Sequence, residues 1–179
     1  MIFKSTTIPD VIVITPQAHE DSRGTFFEFY NQEVFKKNGI GVTFLQDNHS
    51  ISKKGVLRGL HFQRGAKAQA KLVRVLRGKI FDVTVDVRHG SATFGKHVGE
   101  ILSAENKKML FIPAGFAHGF CALEDNTEVL YKVSQIYSAS DENGILWNDP
   151  ALEISWPKLD MEYILSDRDK KYPGIESYR

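Results

Sequence analysis

The chain has 179 residues and a mass of 20.2 kDa, the size of one domain. With 23 Lys and Arg against 22 Asp and Glu, the formal net charge is +1, which removes the usual electrostatic argument for a nonspecific nucleic-acid or membrane-surface binder. One cysteine, Cys121, excludes an internal disulfide and a thiolate zinc site; with no apolar run of membrane-helix length and no secretory pattern in Met1-Ile2-Phe3-Lys4-Ser5, a soluble, reduced, cytoplasmic protein is expected.

A period of two dominates the chain. Residues 11–14 are a β-branched run. Asp21-Ser22-Arg23-Gly24 reads as a turn. Residues 25–30 then alternate, with Phe27 and Phe29 on one face and Phe26, Glu28 and Tyr30 on the other, so a strand is expected there. Asn31 is a cap for a helix over 32–37, which Asn38-Gly39 ends. Strands are expected over 72–76, 80–87, 98–102, 109–112 and 128–136. Arg77-Gly78-Lys79, His89-Gly90-Ser91 and Pro113-Ala114-Gly115 are the turns between them. After about residue 140 the period fades among Trp147, Pro150, Trp156, Pro157 and Pro173, and loops and short helices are expected to wrap the strands. Many short strands with regular turns predict an all-β sandwich or barrel, as a single domain over 1–179.

Several polar residues occupy positions that suit apolar ones. In Gly59-Leu60-His61-Phe62-Gln63, alternation pairs Leu60 with Phe62 and sets His61 with Gly59 and Gln63. Lys71 shares a face with Val73 and Val75, and Tyr131 shares one with Val129 and Val133. Pro113-Ala114-Gly115-Phe116-Ala117-His118 brings a second histidine to the start of a strand. Singly, each has a plain structural explanation: a hydrogen-bonded strand histidine, a solvated strand end, a core tyrosine with its hydroxyl at the rim, a tight turn. Together they predict a polar pocket inside a small barrel, because a lysine is almost never buried without partners. Pro113-x-Gly115-x-x-His118 is similar to the second motif of the metal-binding cupins. The first cupin motif would need His-x-His and a Glu; here His61-Phe62-Gln63 stands instead, with Lys71 downstream. Two imidazoles beside an ammonium are a poor shell for a first-row metal, so no metal or other cofactor is expected.

Eight stretches in one order resemble the dTDP-4-dehydrorhamnose 3,5-epimerase family: Asp21-Ser22-Arg23-Gly24, Gln46-Asp47-Asn48, 57–63, 69–75, 78–83, 112–120, 144–150 and 165–169. The resemblance runs from about residue 2 to residue 175. It implies a cupin-like jelly-roll homodimer that converts dTDP-4-dehydro-6-deoxy-D-glucose to dTDP-4-dehydro-L-rhamnose. Both inverted carbons flank the C4 ketone, which acidifies their protons. Such a reaction needs groups on opposite sides of the sugar and a stabiliser for the enolate oxygen.

By motif match, the resemblance makes His61 the base and Asp169 its orienting carboxylate, with Asp167 as the competitor for that role. It places Lys71 at the enolate oxygen and makes Tyr131 the acid. Arg23, Arg58 and Arg168 would hold the pyrophosphate. Gln46 and Asn48 would meet the thymine, Tyr137 would stack on a ring, and His118 and Glu142 would touch the substrate from the rim. In the family the N-terminal segment crosses to the partner subunit, so Arg23, Phe26 and Glu28 would serve the neighbour's site. Ala66-Lys67-Ala68, Ala92, His97 and Asn143 depart from the family pattern and bear on loop geometry. Relatives of this kind invert C3 alone or C5 alone, or shift the ketone. A metal cupin enzyme and a noncatalytic sugar-binding jelly roll are the readings from other classes.

Overall fold

The computed structural model describes residues 1–179. One antiparallel sheet carries, in spatial order, β1 (Ile2–Ser5), β2 (Ile12–Thr15), β10 (Met109–Ile112), β7 (Lys71–Arg77), β12 (Thr127–Val133) and β5 (Gln46–Ser52). A second antiparallel sheet carries β13 (Glu142–Gly144), β6 (Leu57–Gln63), β11 (Phe116–Ala122), β8 (Lys79–Asp86) and β9 (His97–Ser103). A separate hairpin joins β3 (His19–Asp21) to β4 (Gly24–Phe26). The two larger sheets face each other as a jelly-roll sandwich.

Alternation sorts the side chains into three layers. Val73, Val75, Val98, Leu110, Phe116, Phe120 and Val129 point inward and form the cluster between the sheets. Leu72 and Met109, on the outward face of the six-stranded sheet, pack with Ile14 and with Phe35 of the helix α1 (Gln32–Lys37). The outward face of the other sheet presents Leu60, Phe62, Val83, Val85 and Ala117, covered by Leu152, Trp156 and Ile175 from the C-terminal segment. A strand covered on both faces has no polar alternation. For that reason β11, buried along its whole length, escapes the period-two reading beyond its first residues. Strand β5 escapes it for the opposite reason: Gln46, Asn48 and Ser50 face inward but are polar.

The helix forms where expected. The Asn31 side chain accepts from the backbone N–H groups of Glu33 at 3.1 Å and Val34 at 3.3 Å. Gly39, at φ +85°, turns the chain away after it. Two strand ends differ from expectation. The strand expected over 25–30 stops at Phe26, because Phe27 and Phe29 leave the sheet to lie against the Arg74 guanidinium, 5.2 and 4.4 Å from their ring centres. Strand β12 stops at Val133 rather than at 136. There Ser134 accepts from the Ala70 backbone N–H through its hydroxyl at 2.8 Å, and the Gln69 amide donates to the Gln135 carbonyl at 2.8 Å. These bonds turn the chain outward toward Tyr137. No helix is long and apolar enough to cross a membrane.

At the end of β8, fully buried Asp86 ties down the connection that leads to β9. Its carboxylate accepts from Arg88 Nε at 2.9 Å and Nη2 at 2.6 Å, from the Ser91 hydroxyl at 2.7 Å and from the Thr93 hydroxyl at 2.5 Å. Burial pushes this carboxyl up, but the donors outweigh it and hold it down at about 2. Because the folded group titrates below its unfolded value of about 3.9, its contribution is fully present above that value and is lost as pH falls through about 2. Asp86→Asn should therefore lower stability by about 2–3 kcal/mol at pH 7. The deficit relative to the parent chain should shrink between pH 4 and pH 2, as read by urea unfolding midpoints at both ends of that range.

Candidate active site

Between the sheets lies an open cavity of about 450 Å³, within the size range of small-molecule sites. Its polar wall is built by strand geometry. Strand β6 and strand β11 pair so that His61 opposes His118 while Arg58 opposes Phe120. Two residues, Gly59 and Leu60, therefore stand against Gly119 alone, which is a β-bulge. Plain alternation would put Arg58 on the outer face with Leu60; the bulge shifts the phase, so Arg58 and His61 both line the cavity. The close approach requires glycine. A Cβ on Gly59, at φ +137°, would come within 2.5 Å of Gly119 Cα.

The C-terminal segment reaches this wall through a parallel bridge of Val56 with Ile164, where the Leu57 backbone N–H donates to the Ile164 carbonyl at 3.0 Å. A turn follows in which Ser166 accepts from the Asp169 backbone N–H at 3.1 Å. The turn delivers Asp169 to His61, with His61 Nε2 at 2.6 Å from Asp169 Oδ1. Asp169 is buried, whereas Asp167 in the same turn is exposed, so the imidazole's partner is Asp169. Burial pushes the Asp169 carboxyl up, but His61, Ser166 and the Gly59 backbone hold it below the usual carboxylate range. It is an anion at neutral pH and accepts a hydrogen bond from Nε2, so the other ring nitrogen, Nδ1, is the one left for a ligand.

Opposite, on the six-stranded sheet, stand Lys71 and Tyr131. Lys71 is buried beside Val73, and its Nζ donates to the His61 carbonyl at 3.3 Å. Burial pushes its ammonium down to about 8, against the opposing pull of Asp82 and Glu142. Burial also raises the Tyr131 phenol, with Arg58 opposing and Glu142 reinforcing, so the hydroxyl keeps its proton at neutral pH. The second histidine, His118, has its Nε2 2.8 Å from Asp82 Oδ2, and both are buried. Burial lowers its imidazolium, Asp82 opposes, and Lys71 and His61 add to the lowering, so the ring is neutral at pH 7. Asp82 is a site residue that the sequence reading leaves out. Its signal was present: it lies on the same face as Ile80 and Thr84 within a strand otherwise rich in valine.

The rim is held by amides. Gln63 donates to the Ser138 carbonyl at 2.7 Å and accepts from the Ser138 backbone N–H at 3.1 Å. Gln46 accepts from the Tyr137 backbone N–H at 3.0 Å and donates to Asn48 at 2.9 Å. Glu142 gathers Tyr137, whose hydroxyl donates to it at 2.8 Å, and Arg168, in an ion pair. Gln46, Asn48, Arg58, His61, Lys71, His118, Tyr131, Tyr137, Glu142, Arg168 and Asp169 thus meet at one cavity. Arg23, Phe26 and Glu28 do not reach it. Arg23 pairs with Asp21 at 2.6 Å on the β3–β4 turn, Phe26 is 75% exposed, and Glu28 accepts from the Asn31 amide at 3.1 Å.

An imidazole backed by a carboxylate, a protonated phenol and a buried ammonium, all on one jelly roll, make a site suited to moving protons on a polar ligand. Comparison with known proteins gives the family. The sequence model of dTDP-4-dehydrorhamnose 3,5-epimerase matches residues 5–177. An epimerase of that name from Salmonella typhimurium is 58% identical over 177 residues, covering 98% of this chain and 96% of its own. The crystal structure of dTDP-6-deoxy-D-glucose-3,5-epimerase from Legionella pneumophila, in complex with dTDP-4-keto-L-rhamnose, superposes with a TM-score of 0.94 at 43% identity, covering 98% of this chain and 93% of that one. A 3'-monoepimerase from Streptomyces bikiniensis, in complex with dTDP-quinovose, superposes with a TM-score of 0.90 at 34% identity over 96% of this chain and 87% of its own. The chain belongs to the dTDP-4-dehydrorhamnose 3,5-epimerase family, a family of isomerases.

No three His, Cys, Asp or Glu side chains converge on one point. The two cavity imidazoles each spend Nε2 on a carboxylate, and the Lys71 ammonium stands between the sheets with them. This donor set does not make a metal shell. Dialysis against a strong chelator should leave turnover and the thermal midpoint unchanged, and readdition of divalent ions should not raise either. Activity that vanished with chelator and returned with one ion would overturn this reading.

Proposed function

We propose that the protein inverts C3 and C5 of dTDP-4-dehydro-6-deoxy-D-glucose to give dTDP-4-dehydro-L-rhamnose. One observation carries the reading: His61 and Tyr131 come from opposite sheets across a single cavity, with Lys71 beside them. His61 Nδ1 takes the proton from the carbon next to the ketone, and Asp169 steadies the imidazolium that results. Charge then moves onto the C4 oxygen, where the Lys71 ammonium meets it. Tyr131 returns a proton from the opposite face, and the centre is inverted. The same three groups serve both carbons, since each flanks the same ketone. In this reading Arg58 and Arg168 hold the pyrophosphate, Gln46 and Asn48 meet the thymine, and Tyr137 stacks on a ring. His118 and Glu142 meet the sugar end and the rim.

The protein acts as a homodimer in this reading, each chain a single domain. The support is the β3–β4 hairpin and the residues just after it, which hold Arg23, Phe26 and Glu28 away from their own cavity and leave a large aromatic ring in solvent. A second copy of the chain is the partner that this arm completes. A nucleotide-sugar substrate is made where nucleoside triphosphates are, which favours a cytoplasmic enzyme.

Incubation with the 4-keto sugar nucleotide in D2O, read by NMR at C3 and C5, tests the assignment. The native protein should exchange and invert both carbons; inversion at one alone would make it a monoepimerase. His61→Asn should lower exchange at both positions by about 10²–10⁴-fold, with dTDP affinity kept. Tyr131→Phe deletes only the hydroxyl and should wash deuterium into the sugar faster than it forms inverted product. Equal losses of exchange and inversion would remove Tyr131 from the role of acid.

The ammonium form of Lys71 is the one that stabilises the enolate, so kcat should fall as pH rises through about 8. Lys71→Ala should cost about 10²–10³-fold in kcat and erase that alkaline limb. A rate–pH profile that kept the limb in the variant would assign it to another group.

A further inference from the structure

The mechanism leaves one aromatic contact to the base unused. Tyr172 lies three residues after Asp169, and its ring meets the His61 imidazole edge to face, with centres 5.7 Å apart and planes at 67°. It is not among the side chains that line the cavity, and what it presents to His61 is this ring contact. The ring sits in a gap left by Gly144, where a Cβ would fall 2.4–2.6 Å from three of its carbons. Gly144 in turn opposes His61 in the β13–β6 register. The seam is stitched on both sides: the Leu146 backbone N–H donates to the Pro173 carbonyl at 2.9 Å, and the Tyr178 hydroxyl donates to the Gly144 carbonyl at 2.8 Å. The hydroxyls of Tyr137, Tyr163 and Tyr178 all donate within the chain, whereas that of Tyr172 has no such partner. The contact that Tyr172 makes with His61 is through its ring.

A histidine has a broad, soft torsion about its ring bond. One hydrogen bond at Nε2 leaves the imidazole free to pivot about that contact. Proton abstraction needs Nδ1 aimed at one carbon, and small misalignments cost large factors in rate. We infer that Tyr172 is a positioning residue, seated in the Gly144 gap, whose ring fixes the plane of the His61 imidazole and shields its bond to Asp169 from water. The inference rests on His61 being the base.

Two readouts test it. One is the downfield proton resonance of the His61 Nε2–H···Asp169 bond, assigned by its loss in His61→Asn. The other is the split between kcat and KM. Tyr172→Ala should lower kcat by about ten-fold while KM and dTDP affinity stay within about two-fold, and the resonance should broaden into exchange with water. Tyr172→Phe should restore both, because it keeps the ring. Gly144→Ala displaces the ring from the other side with Tyr172 in place and should copy Tyr172→Ala, which guards against a variant that fails to fold. An unchanged kcat and resonance in Tyr172→Ala would overturn the inference. So would a Tyr172→Phe as impaired as Tyr172→Ala, which would assign the effect to the hydroxyl. If His61→Asn still exchanged deuterium while the resonance depended on Tyr172, the positioning would stand and the assignment of the base would fall.

Discussion

The ammonium of Lys71 stands on an inward strand face beside Val73, 8% exposed, where an unpaired cation is among the most costly groups a protein can hold. Much of the interior is arranged around that cost. The carboxylates of Asp82 and Glu142 pull against the desolvation of the lysine, and the His61 carbonyl accepts a hydrogen bond from it. Each carboxylate is itself engaged: Asp82 with His118, Glu142 with Tyr137 and Arg168. A single buried charge thus links the His61 and His118 side of the cavity to the rim held by Tyr137 and Arg168. Partial compensation also explains why the amine titrates near neutrality, about 8, instead of being clamped as a permanent cation.

The cavity is possible because the sandwich is covered on the outside. Helix α1 and the C-terminal segment bury the outward faces of the two sheets, so apolar burial there stabilises the strands and frees part of the inner face for polar groups. The side chains proposed for chemistry then project from paired strands rather than from loops, which limits their motion. Asp169 and Tyr172 are the exceptions: Asp169 belongs to a turn anchored beside β6, and Tyr172 lies just after it. The β3–β4 arm has none of this support; its side chains meet solvent along its length.

The sequence by itself determined what depends on neighbours along the chain. The Asn31 cap and the Asn38-Gly39 stop place the helix, because capping is a bond between residues two or three apart. Period two finds most strands, and eight ordered motifs carry the family. His61, Lys71, Tyr131 and His118 stand out as polar residues on apolar faces before any coordinates. Only the tertiary structure decided what depends on distant chain or on phase. It chose Asp169 over Asp167 by burial across 108 residues of separation. It brought Arg58 into the cavity through a bulge that breaks alternation, paired Asp82 with His118, and set Tyr172 against His61 through the absent side chain of Gly144. Burial on both faces hid β11, and a polar inner face hid β5. Periodicity records which way a side chain points relative to its neighbours; it carries no information on what is packed against either face, and the chemistry of this site lies in that packing.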